Sequence, residues 1–467
     1  MIKDNSFPFQ YDRIVDLLRP HQAYLVGGAV RDALLERPIY DLDFALPKDT
    51  ITAAKMVADQ LGGSFFVLDP DRDTCRVILK DQKDQRLVVD FTLFQGSSIE
   101  EDLALRDFTI TSMALGLGED ARIIDPFQGA DDLKEGLIRA TSEKSLENDP
   151  VRCLRAVRLA AQLGFHILPD TKQQIRDYRD HLVEISPERK RDEFFRILAG
   201  PNQSAAFLSL QVLGLYPHIL PGELTENQSN RLRNLETLWA LFLADHDQER
   251  AASWAKSNLV HSLGRYREQV REYLNQELVQ GRTMYQLTFI ISLLSGFSGS
   301  ENNLAFQQFT DRIPLSNQEV TFLHQGIQAS TDWLKLFQRD GANQAVNVYR
   351  FFAQYDQAGV AAIFHNLGDV LGAQAGGIDR NQWLERLDLA RTFLEGYWER
   401  YQEWVDPPQL LDGNDIQREF QLPPGPQIGS LLELLREEQV RSGMNTREEG
   451  LKFLKNHLSH AERRVDE

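Results

Sequence analysis

Short apolar runs separated by helical patterns open the chain. AYLVGG (23–28), DLDFAL (41–46), SFFVL (64–68), RVILK (76–80) and RLVVDFTLF (86–94) are rich in β-branched and aromatic residues and predict strands. AVRDALLE (29–36) and TITAAKMVADQLGG (50–63) place apolar residues on one helical face, and glycine closes the second. After about residue 145 the strand signal nearly vanishes. DPVRCLRAVRLAAQLGF (149–165), ERKRDEFFRILAG (188–200), SAAFLSLQVLGLY (204–216) and IGSLLELLREEQV (428–440) keep the 3.6-residue period. DPPQLLDGND (406–415) and LPPGPQIG (422–429) are proline and glycine punctuation. The expected class is α+β, a mixed-sheet head followed by helices.

Composition narrows this without redirecting it. At 467 residues the chain exceeds one ordinary core, and 42% hydrophobic with 26% charged residues is a globular balance. A net charge of −18 argues against a protein that coats nucleic acid nonspecifically, so any RNA site must concentrate cations locally. Two cysteines, Cys75 and Cys153, are too few for a disulfide framework or a cysteine zinc site and suggest a reducing compartment. No apolar stretch has the length of a membrane span, and MIKDNSFPFQ lacks a signal peptide's apolar run. A cytoplasmic protein with no membrane partner is the expectation.

LVGGAVRDALLERPIYDLDFAL (25–46) carries the candidate chemistry. Asp41 and Asp43 lie two apart in a predicted strand and so share a face. Two hard oxygen ligands there suit Mg²⁺, and two such ions clamp the attacking and leaving oxygens of phosphoryl transfer. Gly27 and Gly28 end one strand and open a helix, letting a phosphate approach the backbone, and Arg31 adds a bidentate donor. Asp90, in VVDFTLF, reads equally as a third metal carboxylate or as a plain strand acid. A D-x-D or a G-G is common alone; the order strand, GG, helix, strand, DxD is more specific.

That stretch resembles the first motif of the class II tRNA nucleotidyltransferase and bacterial poly(A) polymerase family. LRDFTITSMAL (105–115) is similar to its ribose-selecting motif, IDPFQGADDL (124–133) to its hinge-like motif, and NDPVRCLRAVRLAAQLGF (148–165) to its base-selecting motif. SPERKRDEFFRIL (186–198) and PGPQIGSLLELLREEQV…TREEGLKFL match later helices. The resemblance implies a catalytic head (1–141), a helical neck that selects the nucleotide and contacts RNA (142–222), and an all-α body and tail that contact tRNA (223–467). It implies template-independent addition of C and/or A of the tRNA CCA end from CTP or ATP.

By the same resemblance, Arg106 and Asp107 contact the triphosphate and a ribose hydroxyl, and Asp149, Arg152, Arg155 and Arg158 hold the nucleotide. Cytosine and adenine both present an amino donor beside a ring-nitrogen acceptor, so a carboxylate beside an arginine accepts them and rejects G and U. On its residues alone, Asp149 before Pro150 is the expected N-cap of a helix. Leu105 and Thr111 stand where the ribose motif usually has Arg and Asn, and Asn148 where the base motif usually has Glu.

Lys172, Arg176, Arg179, Arg189, Lys190, Arg191 and Arg196 form the densest basic region and are candidate RNA-phosphate contacts. Trp239 and Trp333 are expected in the core, and His246-Asp247 in a loop or cap. Between RLVVDFTLF and EEDLALRDF only Gln95 to Ile99 remain, too few for the flexible segment of full CCA-adding relatives. That leans toward CC addition, with a separate A-adding enzyme completing the end. Poly(A) polymerase and a non-catalytic tRNA-binding protein of the same fold are the alternatives.

Overall fold

A computed structural model describes residues 7–81, 85–117, 121–243, 254–295, 300–337, 344–372 and 379–465. His246-Asp247 lies outside them. The chain divides into two compact units, Met1–Glu223 and Leu224–Glu467.

The first unit is built on a seven-stranded mixed sheet: β1 (Tyr24–Val26), β2 (Asp41–Leu46), β3 (Ser64–Asp69), β4 (Thr74–Lys80), β5 (Arg86–Leu93), β6 (Ala114–Gly116) and β7 (Ile123–Ile124), in the order β3-β4-β5-β2-β1-β6-β7. The expected strands are all present, and β6 and β7 are additional short ones. Helices α1 (Tyr11–Leu18), α2 (Gly28–Leu34) and α3 (Thr50–Leu61) accompany them. Strands β2 and β5 are parallel, which requires a crossover; α3 and the β3–β4 hairpin supply it. Alternation in β2 sends the wholly buried Leu42 and Phe44 to one face, where Phe44 stacks on Phe91 of β5 at 5.8 Å. Asp41 and Asp43 take the other face. Further along that face Ala45 packs with Ile99 and Leu103 of helix α4 (Ile99–Ala104).

A polar brace follows the sheet. Asp125 accepts from the N–H groups of Gly129 and Ala130 at 2.8 and 3.0 Å, capping α5 (Gly129–Glu135). Gly129 is obligatory, since a Cβ there would stand 2.2 Å from the Thr109 carbonyl oxygen. Buried Asp132 accepts from the Thr109 hydroxyl (2.6 Å) and from Arg139 (3.0 Å). This network ties the 105–115 segment to α5 and Arg139.

Helices α6 (Ser145–Asn148), α7 (Arg152–Leu163), α8 (Pro169–Tyr178), α9 (Pro187–Ala199) and α10 (Gln203–Val212) complete the unit, with α7 packed on α9 and α10. The helix expected over 149–165 starts three residues late. Asp149 is extended (φ −153°, ψ 92°) and no side chain caps α7. Gly164, at φ 74°, ends α7 as the sequence predicts.

The described residues of the second unit are mostly helical, with one two-stranded hairpin among them, Glu277–Val279 with Arg282–Thr283. Trp239, Trp333 and Trp383 are buried in its core, as expected for the first two. Its last helices, Gly413–Phe420, Pro426–Ser442 and Arg447–Val465, share a small apolar cluster around Leu411, Ile416, Leu431, Leu435 and Leu454. No described helix is long and apolar enough to cross a membrane.

Candidate active site

The sheet register sets the centre of the site. Across neighbouring strands Arg76, Asp90, Asp43 and Val26 stand in one row, β4 to β1. Arg76 donates to both oxygens of Asp90, from Nε at 2.7 Å and Nη2 at 2.8 Å. Asp90 thus stands beside Asp43, with Arg76 holding its carboxylate. Among the described residues no group of three or more acids, histidines or cysteines is arranged to hold a metal ion. Asp41 and Asp43 remain as the open pair.

Their electrostatics fit a divalent cation. Burial, with repulsion from Asp90 and Asp41 against the pull of Arg106 and Arg155, pushes Asp43 up to about 6. Asp41 is raised too, by burial and by Asp90. Excess negative charge in a partly buried site is relieved by a cation and otherwise by a proton. The ordinary value for Asp43 is 3.8, so folding favours its protonated form, and the cation-free fold loses stability as pH rises from about 4 to above 6. Mg²⁺ is therefore expected to raise the Tm clearly at pH 7.5 and little at pH 5, where a proton already sits on Asp43. Thermal unfolding with and without Mg²⁺ at the two pH values checks this; an equal shift at both contradicts it.

Gly27 separates this pair from the next cation. Its backbone (φ 71°, ψ −134°) lies where side chains are strained, and a Cβ would stand 3.4 Å from Arg106 Nη1 and 3.6 Å from Asp43 Oδ2. Its N–H donates to the Met113 carbonyl at 3.3 Å, so Gly27 offers a phosphate space rather than a free donor. Gly28 opens α2, and Arg31 chelates the neighbouring Asp32 at 2.9 and 2.7 Å. Arg106 is held by Asp102 (2.9 Å). Gly27→Ala is expected to lower nucleotide incorporation at least tenfold while costing ~1–3 kcal/mol in stability; kinetics beside a thermal melt measure the two effects.

The ribose-motif segment is tightly held. Asp107, 5% exposed, accepts from the Thr111 hydroxyl (2.6 Å) and the Phe108 N–H (2.9 Å). Arg155 Nε approaches its second oxygen to 2.9 Å. Burial alone would raise Asp107, but Arg155, Thr111 and Arg152 together hold it below the usual carboxylate range. Thr111 thus orients Asp107 directly, and Leu105 is 46% exposed. Arg152 donates to the carbonyls of Leu105 (2.8 Å), Arg106 (3.2 Å) and Ser145 (3.1 Å) and to the Ser145 hydroxyl (3.0 Å). Its Nε is 3.9 Å from Asp149 Oδ2. Asp149 instead accepts from Arg189 of α9 at 2.7 Å.

The remaining basic residues divide. Arg158 donates to Glu193 (2.7 Å) and Gln162 (3.0 Å) and ties α7 to α9. Lys190, 8% exposed, is buried rather than presented to a polyanion. Arg191 pairs with Asp192 (2.9 Å), and Arg196 with Glu193 (2.9 Å). Arg176 and Lys172 lie on α8, Arg176 exposed and Lys172 half-buried, and Arg179 packs against Gly214. The sequence does not single out Arg76, Ser145 or the Arg189–Asp149 pairing; the one local signal is a charge inside the apolar run RVILK.

The description "Poly A polymerase head domain" matches residues 23–139, and "Probable RNA and SrmB- binding site of polymerase A" matches 164–224. A CC-adding tRNA nucleotidyltransferase of Geobacter sulfurreducens is 31% identical, over 92% of this chain and 91% of its own. An A-adding tRNA nucleotidyltransferase of Deinococcus radiodurans is 28% identical over 93% and 95%. The fold is shared with a Thermotoga maritima CCA-adding enzyme complexed with tRNA: TM-score 0.63, 21% identity, 96% of this chain and 95% of that one.

Proposed function

Because this chain belongs to the tRNA nucleotidyltransferase family, whose head domain it shares with poly(A) polymerases, we propose that it adds C to the 3′ end of tRNA from CTP without a nucleic-acid template. The observation that carries the reading is the convergence of Asp43, Gly27 and Arg106 beside Asp41: paired acids, a space without a side chain, and a guanidinium. Residues 1–141 serve as the catalytic head, 142–222 as the neck, and 223–467 as a body and tail that contact tRNA.

Asp41 and Asp43 are the residues that would hold Mg²⁺, which when bound lowers the barrier by balancing charge on the attacking 3′-oxygen and the departing pyrophosphate. Arg106 and Arg31 border the triphosphate space and offer bidentate donors to its oxygens. Asp107, ionised and oriented by Thr111, accepts from a ribose hydroxyl, which favours ribonucleotides. Arg155 neutralises Asp107 from the other side. Asp149 accepts the amino group of the base, and Arg152 ties the base-reading turn to the ribose segment. Arg158 acts through packing, holding α7 on α9. Exposed Arg176, half-buried Arg179, Arg191 and Arg196 are the contacts proposed for the acceptor-stem phosphates, and the charge of Arg196 also acts on Asp41. A cytoplasmic site of action is part of this proposal, supported by the two lone buried cysteines.

The lean toward two C residues rests on the link from β5 to α4. Gln95 N–H donates to Asp102 (3.0 Å), the Ser97 N–H and hydroxyl both donate to Glu101 (2.7 and 2.9 Å), and Ser98 caps the helix. A pinned link is no lever for reshaping the pocket. Incubating the purified protein with a tRNA transcript lacking CCA and each single nucleotide tests the activity; CTP extension supports it, and its absence under all divalent ions sinks it.

A further inference from the structure

Alternation along β4 and β5 separates two faces of the sheet. Cys75, Val77, Leu79 and Val89 point to one face and are buried, with α3 packed there. The residues between them share the face of Asp41 and Asp43 and stay open: Arg76, Ile78 and Val88 are half-buried, and Arg86 is exposed. At the border of this face, edge strand β3 places Phe66, 48% exposed, opposite Arg76. One row thus runs Phe66, Arg76, Asp90, Asp43 from β3 to β2, three strand spacings or roughly 14 Å. A lone exposed phenylalanine is ordinary. This one shares an open face with two guanidinium groups and the metal acids.

The triphosphate space decides what meets this face. Gly27 and Arg106 lie on the β1 side of Asp43, so the departing pyrophosphate leaves toward β1. The attacking and leaving oxygens of phosphoryl transfer stand in line through the phosphorus. The attacking 3′-hydroxyl therefore comes in from the opposite side, over Asp90 and Arg76. We infer that the open face of β3, β4 and β5 is the platform for the unpaired 3′ end of the RNA acceptor, with Phe66 stacking a base and Arg76 and Arg86 holding phosphates. Stacking on an aromatic ring is indifferent to which base it meets, which suits an end that changes with every addition. Ile78 and Val88 supply an apolar floor between the two arginines. Asp90 chelates Arg76 through Nε and Nη2, so the guanidinium is already oriented before RNA arrives. In a chain of net charge −18, cations gathered on this face give a polyanion local attraction beside the acids. The inference deepens the proposed function and rests on its placing of the triphosphate. An edge strand also admits pairing with a second copy of the chain, and the same experiment separates the two occupants.

Phe66→Ala is expected to weaken tRNA binding about tenfold with its salt dependence unchanged, and Phe66→Trp to restore it. Arg86→Ala weakens binding too, and lowers the slope of log K against log salt by about one. Arg86 is the cleaner charge to remove, since an Arg76 variant also releases Asp90 beside Asp43. Fluorescence anisotropy of the full-length chain with a labelled tRNA transcript lacking CCA measures both effects. Steady-state C addition should place the loss in KM for tRNA and leave KM for CTP unmoved, and the melts of both variants should match the parent's. Unchanged tRNA affinity in both variants overturns the inference. So does a Phe66→Ala chain that binds tRNA like the parent but turns from dimer to monomer by light scattering, which gives the edge strand to a second copy. A rise in KM for CTP alone assigns the face to the nucleotide and overturns it as well. If the parent adds C while both variants bind and use tRNA as it does, the inference alone falls. If the parent adds no nucleotide, the reading of the site falls, and the anisotropy still decides the platform.

Discussion

Asp43→Asn is expected to reduce C addition by roughly a thousandfold or more while leaving the protein folded. The change removes one charge and keeps the shape. If the two acids jointly hold the ions that balance the developing oxyanions, the loss is on the order of 4 kcal/mol in the transition state, about three powers of ten in rate. Stability should move the other way. Asp43 is ionised at neutral pH against burial and against Asp90 and Asp41, so the neutral amide relieves a penalty that the cation-free protein carries. Asp43→Asn should therefore melt at a higher temperature than the parent without Mg²⁺ at pH 7.5, and lose the Mg²⁺-dependent gain. Single-turnover incorporation and paired melts test both halves. Activity within tenfold of the parent would remove Asp43 from the chemistry; a lower melting temperature with activity lost would mark it as structural.

Given CTP and ATP together, the pure protein is expected to extend tRNA by two C residues and stop. The base site is fixed by Asp149, held by Arg189, and by Arg152, bound to the carbonyls of Leu105 and Arg106. Of the five residues from Gln95 to Ile99 that would have to reshape it, Gln95, Ser97 and Ser98 are hydrogen-bonded to Glu101 or Asp102. Adenine satisfies the same donor–acceptor pattern, so its exclusion depends on size in a pocket that does not adjust. We expect kcat/KM for ATP on a tRNA ending in CC to be about a hundredfold below that for CTP on the unextended tRNA. Sequencing gels of the products decide it: a CC end with ATP unused supports the account, and efficient CCA formation restricts the protein to the general CCA-adding activity. A CC-adding protein leaves the end for an A-adding enzyme, and the A-adding relative of Deinococcus radiodurans shows that the family includes such members.

The positions of Asp41 and Asp43 were legible because strand alternation is local: two residues apart in DLDFAL must share a face, and β2 spans those residues. The α+β class and the helical second half followed from the change in period. What stayed hidden is non-local. The parallel pairing of β2 with β5 brings Asp90 opposite Asp43, and β4 then delivers Arg76 to Asp90. No spacing in the sequence shows that register. The helix-cap expectation for Asp149 failed for a similar reason: a guanidinium on another helix competes for the carboxylate more strongly than a backbone N–H of its own turn. Lys190 is the counterpart, a charge in a basic run that packing of α9 turned inward. Helix α1 escaped notice because it is short and lies before the first strand.

A structure of the full chain with CTP and Mn²⁺, using the anomalous signal of manganese, tests the central claim most directly. The account expects metal density bound by carboxylate oxygens of both Asp41 and Asp43, with the triphosphate lying in the space above Gly27 toward Arg106. Manganese bound elsewhere, or CTP seated with those two acids turned from its phosphates, would contradict it.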